Sequence, residues 1–223
     1  QNIADKLAVL VIGFGGVGTG AALVLKSFPS VEITILEKSQ QRQELAKKLG
    51  FSRVYSDLIQ YREFNEGKQF DYCISNPPYG VDWKKYQEPI EKEHKTKGFD
   101  GRYGAGLPRV SDGSFLFIQH MISKMKPYDA QSDEGGSRLA IILSASPLFS
   151  GQAGSGESEI RKWIIEQDLL EGIIALPDQM FYNTGIGTYI WILSNRKSAK
   201  NQGSVRLVDA RDLGTKLKKP LGD

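Results

Sequence analysis

An apolar run, Leu7–Ile12, stops on a segment with five glycines in eight residues: Gly13-Phe14-Gly15-Gly16-Val17-Gly18-Thr19-Gly20. A buried strand that breaks into glycine and resumes as a helix constrains the fold more than any other feature of the chain. Glycine permits a tight turn and lets a ligand approach the backbone closely. The spacing predicts a helix over residues 19–27 and a β-branched strand over 31–37. A helix over 40–49 follows, closing on Gly50, with short strands at 53–56 and 70–75. Strands alternating with helices imply an α/β fold with a doubly wound, mostly parallel sheet.

Farther along, residues 80–112 form a long stretch rich in Gly and Lys, expected to be irregular. Ser111 or Asp112 then caps a helix whose Phe115, Ile118, Ile122 and Met125 share one face, ended by Pro127. Residues 131–136 read as a polar turn and 139–143 as a buried strand. Residues 150–158 form a small-residue loop before a helix over 159–167. Strands are expected at 170–176, 188–193 and 205–208. The chain, 223 residues with 40% hydrophobic and 25% charged content, reads as a single soluble domain over 1–223. No apolar run reaches the ~20 residues of a membrane-spanning helix. The lone Cys73 excludes an internal disulfide and fits a cytoplasmic setting. His94 and His120 lack companion ligands, so no metal site is expected. With 29 basic and 26 acidic residues, the net charge of +3 is a weak draw for phosphate.

The glycine segment fits two cofactor classes. Gly13, Gly15 and Gly18 match the G-x-G-x-x-G of dinucleotide sites, and Gly16, Gly18 and Gly20 match the G-x-G-x-G of S-adenosylmethionine enzymes. Glu37 lies 19 residues beyond Gly18, where a carboxylate holds two ribose hydroxyls in either class. Asp57 closes the third strand, where a carboxylate can accept from an adenine amine. Residues 43–50, followed by Val54, resemble medium-chain nicotinamide dehydrogenases.

The fourth strand runs into Asn76-Pro77-Pro78-Tyr79. Two prolines stiffen the backbone just past the strand. The Asn76 side-chain oxygen and the Pro77 carbonyl can each accept one N–H of an exocyclic amine, and the Tyr79 face can stack on its ring. This chemistry suits enzymes that pull a base from a duplex.

The tetrapeptide resembles the Asn-Pro-Pro-Tyr motif of N6-adenine DNA methyltransferases. Residues 80–85, 106–114, 154–161, 175–185 and 189–197 widen this to a resemblance to the methylation subunit of type I restriction-modification systems, over residues 65–223. At the glycine loop the chain departs from that family's usual Asp-Pro-Ala-Cys-Gly-Thr-Gly-Gly-Phe. The resemblance implies a Rossmann-like fold, S-adenosylmethionine as cofactor, and methyl transfer to adenine N6 in DNA. It implies catalytic Asn76, Pro77, Pro78 and Tyr79, and cofactor contacts from Gly13, Gly15, Gly16, Gly18, Gly20, Glu37 and Asp57. Phe181 and Tyr182 are candidates for holding the base from its other side. Implied partners are DNA, a specificity subunit that reads the sequence, and a restriction subunit, with no membrane. The family also carries a helical domain before, and helices after, the span seen here. Two other readings stay open: a nicotinamide-binding oxidoreductase domain, and a non-catalytic scaffold with a degenerate cofactor loop.

Overall fold

The computed structural model describes residues 7–56, 67–181 and 185–213. They group into two compact units, one within residues 1–77 and 124–139, the other within 78–123 and 140–223.

In the first unit, strands β1 (Leu7–Ile12), β2 (Val31–Leu36), β3 (Arg53–Tyr55) and β4 (Tyr72–Ser75) lie in the order β4-β1-β2-β3. Every pair is parallel. Val9, Leu10 and Val11 are fully buried, as the unbroken apolar sequence of β1 requires of a strand covered on both faces. Helix α1 (Gly16–Lys26) and helix α2 (Gln40–Lys48) contribute Ala22 and Ala46 to a core with Val9, Val11 and Ile35. Phe14 and Phe51 close that core edge to face, their centroids 5.6 Å apart. Helix α1 begins three residues before the expected start, because Gly16 and Gly18 are poor helix formers and hide its first turn from a propensity reading. The carboxylate of Asp71 accepts the Ala8 N–H at 2.7 Å and the Lys126 ammonium at 2.7 Å, tying the approach to β4 onto β1. Within the segment expected as a polar turn, 131–136, Glu134–Gly135 instead forms a short strand, β6, paired antiparallel with β5 (Tyr128–Asp129).

The second unit holds α3 (Gln87–Lys97), α4 (Ser114–Ile122), most of β7 (Arg138–Ser144), α5 (Ser146–Phe149), α6 (Gly156–Glu166), β8 (Leu170–Ala175), β9 (Thr188–Ser194) and β10 (Arg206–Asp209). Its strand order is β10-β8-β9-β7, with β8 parallel to β10 and antiparallel to β9. Helix α3 corrects the reading of 80–112 as irregular. None of its eleven residues is fully buried, and only Ile90 packs against the cluster of Trp83, Tyr103 and Leu116. One apolar contact in three turns leaves no periodicity to detect. Helix α6 also starts three residues early, at Gly156, with the Ser155 hydroxyl accepting the Ser158 N–H as its cap. Phe115 on α4 meets Trp191 on β9 edge to face at 6.2 Å.

The fit of α1 onto β1 rests on Gly18, where an added Cβ would lie 2.0 Å from the Gly13 carbonyl oxygen. At Gly20, exposed on the same helix, a Cβ would meet nothing within 4 Å. Gly18→Ala should therefore cost ~1–3 kcal/mol or more through overpacking. Gly20→Ala should stabilise the helix by roughly 0.5–1 kcal/mol. Denaturant midpoints of the two variants check this; equal tolerance at both positions would contradict the packing described.

Candidate active site

Strand register brings three of the expected site residues side by side. Ile12 of β1 pairs with Leu36 of β2 on one side and with Ser75 of β4 on the other. The next residue on each strand is Gly13, Glu37 and Asn76. Paired positions on neighbouring strands stand about 4.8 Å apart, so the three residues leave the sheet side by side. All three occupy the carboxyl edge of a parallel sheet, the usual place for ligands in open α/β folds.

Gly13 turns the chain there with φ of +86°, a left-handed conformation that favours glycine. The Glu37 carboxylate then fixes the loop. Its Oε2 accepts the Phe14 N–H at 2.6 Å and its Oε1 accepts the Ser39 N–H at 2.7 Å. Glu37 is buried, and an Arg42 guanidinium nitrogen stands 3.9 Å from Oε2. Of the five glycines, Gly13 and Gly18 are demanded by turn and packing. Gly15 caps α1. Gly16 opens the helix with nothing within 4 Å of where a side chain would go. Gly20 lies about one turn, ~6 Å, farther along.

Past β4, Asn76 is half-buried, Pro77 buried, Pro78 exposed and Tyr79 half-buried. Burial pushes the Tyr79 phenol up to about 12, so its ring stays neutral at physiological pH. Gly80 turns the chain with φ of +58°. The residues that follow are fastened to the 106–113 loop. Gly113 N–H donates to the Val81 carbonyl at 2.9 Å, Trp83 N–H to Val110 at 3.0 Å, and the Trp83 indole N–H to the Arg109 carbonyl at 2.9 Å. Trp83 is therefore core, while Tyr86 is exposed.

Tyr79 and Ile186 line a cavity of about 340 Å³ within the second unit, together with Arg109, Ser111, Asp112 and Ser146. Asp112 organises the polar wall. Its Oδ1 accepts the Ser114 N–H at 3.0 Å and the Ser114 hydroxyl at 2.6 Å, and its Oδ2 accepts the Ser146 hydroxyl at 2.8 Å. Burial works to raise its pKa, but the hydrogen bonds from Ser114 and Ser146 and the nearby Arg109 charge outweigh it. The net effect holds the carboxyl below the usual range. In the sequence Ser111 or Asp112 reads as a helix cap, and Arg109 falls inside a block that carries the family resemblance, with no role of its own. Phe181 is half-buried and is not among the residues lining this cavity. Asp57 and Tyr182 lie outside the described residues. Burial pushes the Cys73 thiol up to about 12, as fits an inert core residue. Among the described residues, no cluster of acidic, histidine or cysteine side chains could hold a metal, and no helix is long and apolar enough to cross a membrane.

A family described as N-6 DNA methylase matches residues 46–221. The match opens earlier than residue 65 and leaves the glycine loop outside it. The methylase subunit of the type I restriction enzyme HindI from Haemophilus influenzae is 34% identical over 147 residues, covering 66% of this chain and 29% of that subunit. Among solved structures, the methyltransferase subunit of a type I restriction-modification system from Streptococcus thermophilus superposes with a TM-score of 0.72 at 23% identity. That superposition covers 97% of this chain and 44% of the other. A class I S-adenosylmethionine-dependent methyltransferase from Listeria monocytogenes gives a TM-score of 0.59 at 18% identity, covering 96% of this chain and 61% of the other. The structural likenesses are likenesses of fold, and they agree with the α/β, mostly parallel sheet expected from the sequence. The chain spans less than a third of the length of its Haemophilus relative.

The depressed Asp112 pKa has a consequence for stability. A carboxylate favoured in the folded state contributes stability above the unfolded pKa of ~3.9 and loses it as pH falls through the folded value. Wild type should therefore be more stable than Asp112→Asn at neutral pH, and the gap should narrow as pH drops below about 4. Paired denaturation curves across that range check it; a gap unchanged down to the acid limit would contradict the network.

Proposed function

The chain belongs to the N-6 DNA methylase family, and we propose that it is the methyl-transferring core of a type I restriction-modification enzyme, moving a methyl group from S-adenosylmethionine to adenine N6 in DNA. One observation carries this reading: strand register sets Asn76 and Glu37 on either side of Gly13. An amine acceptor and a cofactor loop thereby share one sheet edge.

The residues present fit the cofactor. Space is open at Gly13 and Gly16, where a Cβ would meet nothing within 4 Å, so the backbone can be approached closely. The Glu37 carboxylate has about four acceptor sites, of which backbone N–H groups take two, leaving two for a ribose diol. Gly15, Gly18 and Gly20 complete the loop and first turns, and Asp57 is the proposed acceptor for the cofactor adenine amine. S-adenosylmethionine supplies, when bound, a methyl group made electrophilic by a positively charged sulfur.

What this chain adds is orientation. Adenine N6 is a poor nucleophile because its lone pair is delocalised into the ring. The Asn76 side-chain oxygen and the Pro77 carbonyl each accept one N6 hydrogen, which favours a localised, tetrahedral lone pair. Pro77 and Pro78 hold those acceptors still, and such positioning supplies much of the rate. The neutral Tyr79 ring stacks on the extruded base, with Phe181 and Tyr182 on its other face, at roughly 1–3 kcal/mol per stacked base. Sequence choice falls to a specificity subunit, and cleavage to a restriction subunit, in a cytoplasmic complex. A net charge of +3 leaves the chain few phosphates to neutralise by itself.

Asn76→Ala removes an acceptor and leaves the glycine loop intact. Assembled with a matching specificity subunit, the variant should bind cofactor normally while methyl transfer falls about 100-fold or more, the scale of losing one preorganised hydrogen-bond partner. Mass spectrometry of nucleosides from the treated DNA reads the product. Near-normal yield of N6-methyladenine would refute the assigned role.

A further inference from the structure

The cavity that Tyr79 shares carries a cation whose hydrogen-bonding capacity is only partly used. Arg109 has five guanidinium N–H donors. Its Nη2 donates to the Ser146 hydroxyl at 2.8 Å and the Ser150 hydroxyl at 3.2 Å. Its Nε stands 3.9 Å from Glu157 Oε1, and Nη2 stands 3.6 Å from Asp112 Oδ2. Neither is the two-pronged pairing at 2.7–2.9 Å that a guanidinium makes when a carboxylate is its true ligand. Arg102 shows that other case in the same unit, donating from both Nε and Nη2 to Glu93 at 2.9 and 2.6 Å.

The acids beside Arg109 are committed elsewhere. Asp112 accepts from Ser114 and Ser146, and Glu157 Oε1 accepts the backbone N–H of Arg109 itself at 2.9 Å. They hold the guanidinium in place without spending its outer edge. Nη1 makes no hydrogen bond among the described residues, and the side chain is 49% exposed. Ser111 adds a neutral hydroxyl to the same cavity wall.

We propose that Arg109 grips the backbone phosphate next to the extruded adenine, so that the cavity receives a nucleotide and not only a base. The inference rests on the DNA reading above. A cavity of about 340 Å³ falls at the lower end of the ~300–1,000 Å³ of small-molecule sites, which suits one nucleotide. A base stacked on Tyr79 has its own phosphate only one sugar away, and Arg109 lines the same open cavity. Planar, bidentate recognition of phosphate oxygens is what a guanidinium with a spare edge does best. Because Asp112 and Glu157 outweigh the single positive charge, the attraction is short-ranged. Arg109 therefore places the strand and adds little general DNA affinity.

The test uses the chain assembled with a matching specificity subunit, and duplexes carrying one target adenine and a single neutral methylphosphonate at one or the other flanking phosphate. Binding is read by fluorescence anisotropy between about 50 and 200 mM salt. Wild type should lose affinity at one of the two substituted positions. Arg109→Gln should be indifferent to that substitution, and its log–log salt slope should be shallower by about 0.9, one phosphate contact. Arg109→Lys should keep the slope and recover only part of the affinity, since an ammonium restores charge but not the fork. Wild-type indifference to both methylphosphonates would overturn the inference, whether or not the variants fold. So would an Arg109→Gln protein that stays folded and remains as sensitive as wild type. Binding is measured without turnover, so a failed methylation assay counts against the proposed function and not against this contact.

Discussion

A buried carboxylate locks the glycine loop onto the sheet. Glu37 sits at the end of β2 and accepts the Phe14 N–H across the gap from β1. Gly13 can turn there because it tolerates positive φ, and Gly18 lets α1 settle onto the turn. Without the carboxylate, two backbone N–H groups at this edge would need other partners, a cost of roughly 1–3 kcal/mol each if left buried. Everything proposed about the cofactor depends on this arrangement. The parallel register of β4 against β1 then delivers Asn76 to the same edge. A one-residue slip would turn Asn76 to the opposite face.

In the second unit a comparable role falls to Asp112. It joins the start of α4 to α5 through Ser114 and Ser146, and the backbone on either side of it holds Val81 and Trp83. The segment just after Tyr79 is thus pinned by main-chain hydrogen bonds and a buried indole, which limits how far the Tyr79 ring can wander. This is the support a stacking platform needs, because positioning contributes only as much as the scaffold is stiff.

Much of this was legible in the sequence where burial is strong and local. The limits of β1 match the structure because its apolar run has no competing interpretation, and β4 ends at Ser75 as expected, while β2 stops at Leu36, one residue before its expected end at Glu37. Glu37 and Asn76 were placed correctly at strand ends, though nothing in the sequence showed that Glu37 would be tied to Phe14. Helix α3 leaves no periodic signal because Ile90 is its single packed apolar residue, its other ties being polar, as from Glu93 to Arg102 and from His94 to the Tyr103 carbonyl. The starts of α1 and α6 were missed because glycine obscures the first turn. The Arg109–Asp112–Ser146 wall was invisible as a unit because its members are up to 37 residues apart and each has a bland local role. Composition carried little, since a charge of +3 distinguishes neither a DNA enzyme nor a nicotinamide enzyme.

The glycine loop is where the two cofactor classes part: of the two glycines whose geometry is demanded, Gly18 belongs to both triplets and Gly13 to the dinucleotide triplet alone. Calorimetric titration of the chain with S-adenosylmethionine and, separately, with NADH decides between them most directly. The account predicts saturable one-to-one binding of S-adenosylmethionine, weakened in Glu37→Ala, with no displacement by NADH. Tight binding of NADH with no detectable heat from S-adenosylmethionine would contradict it.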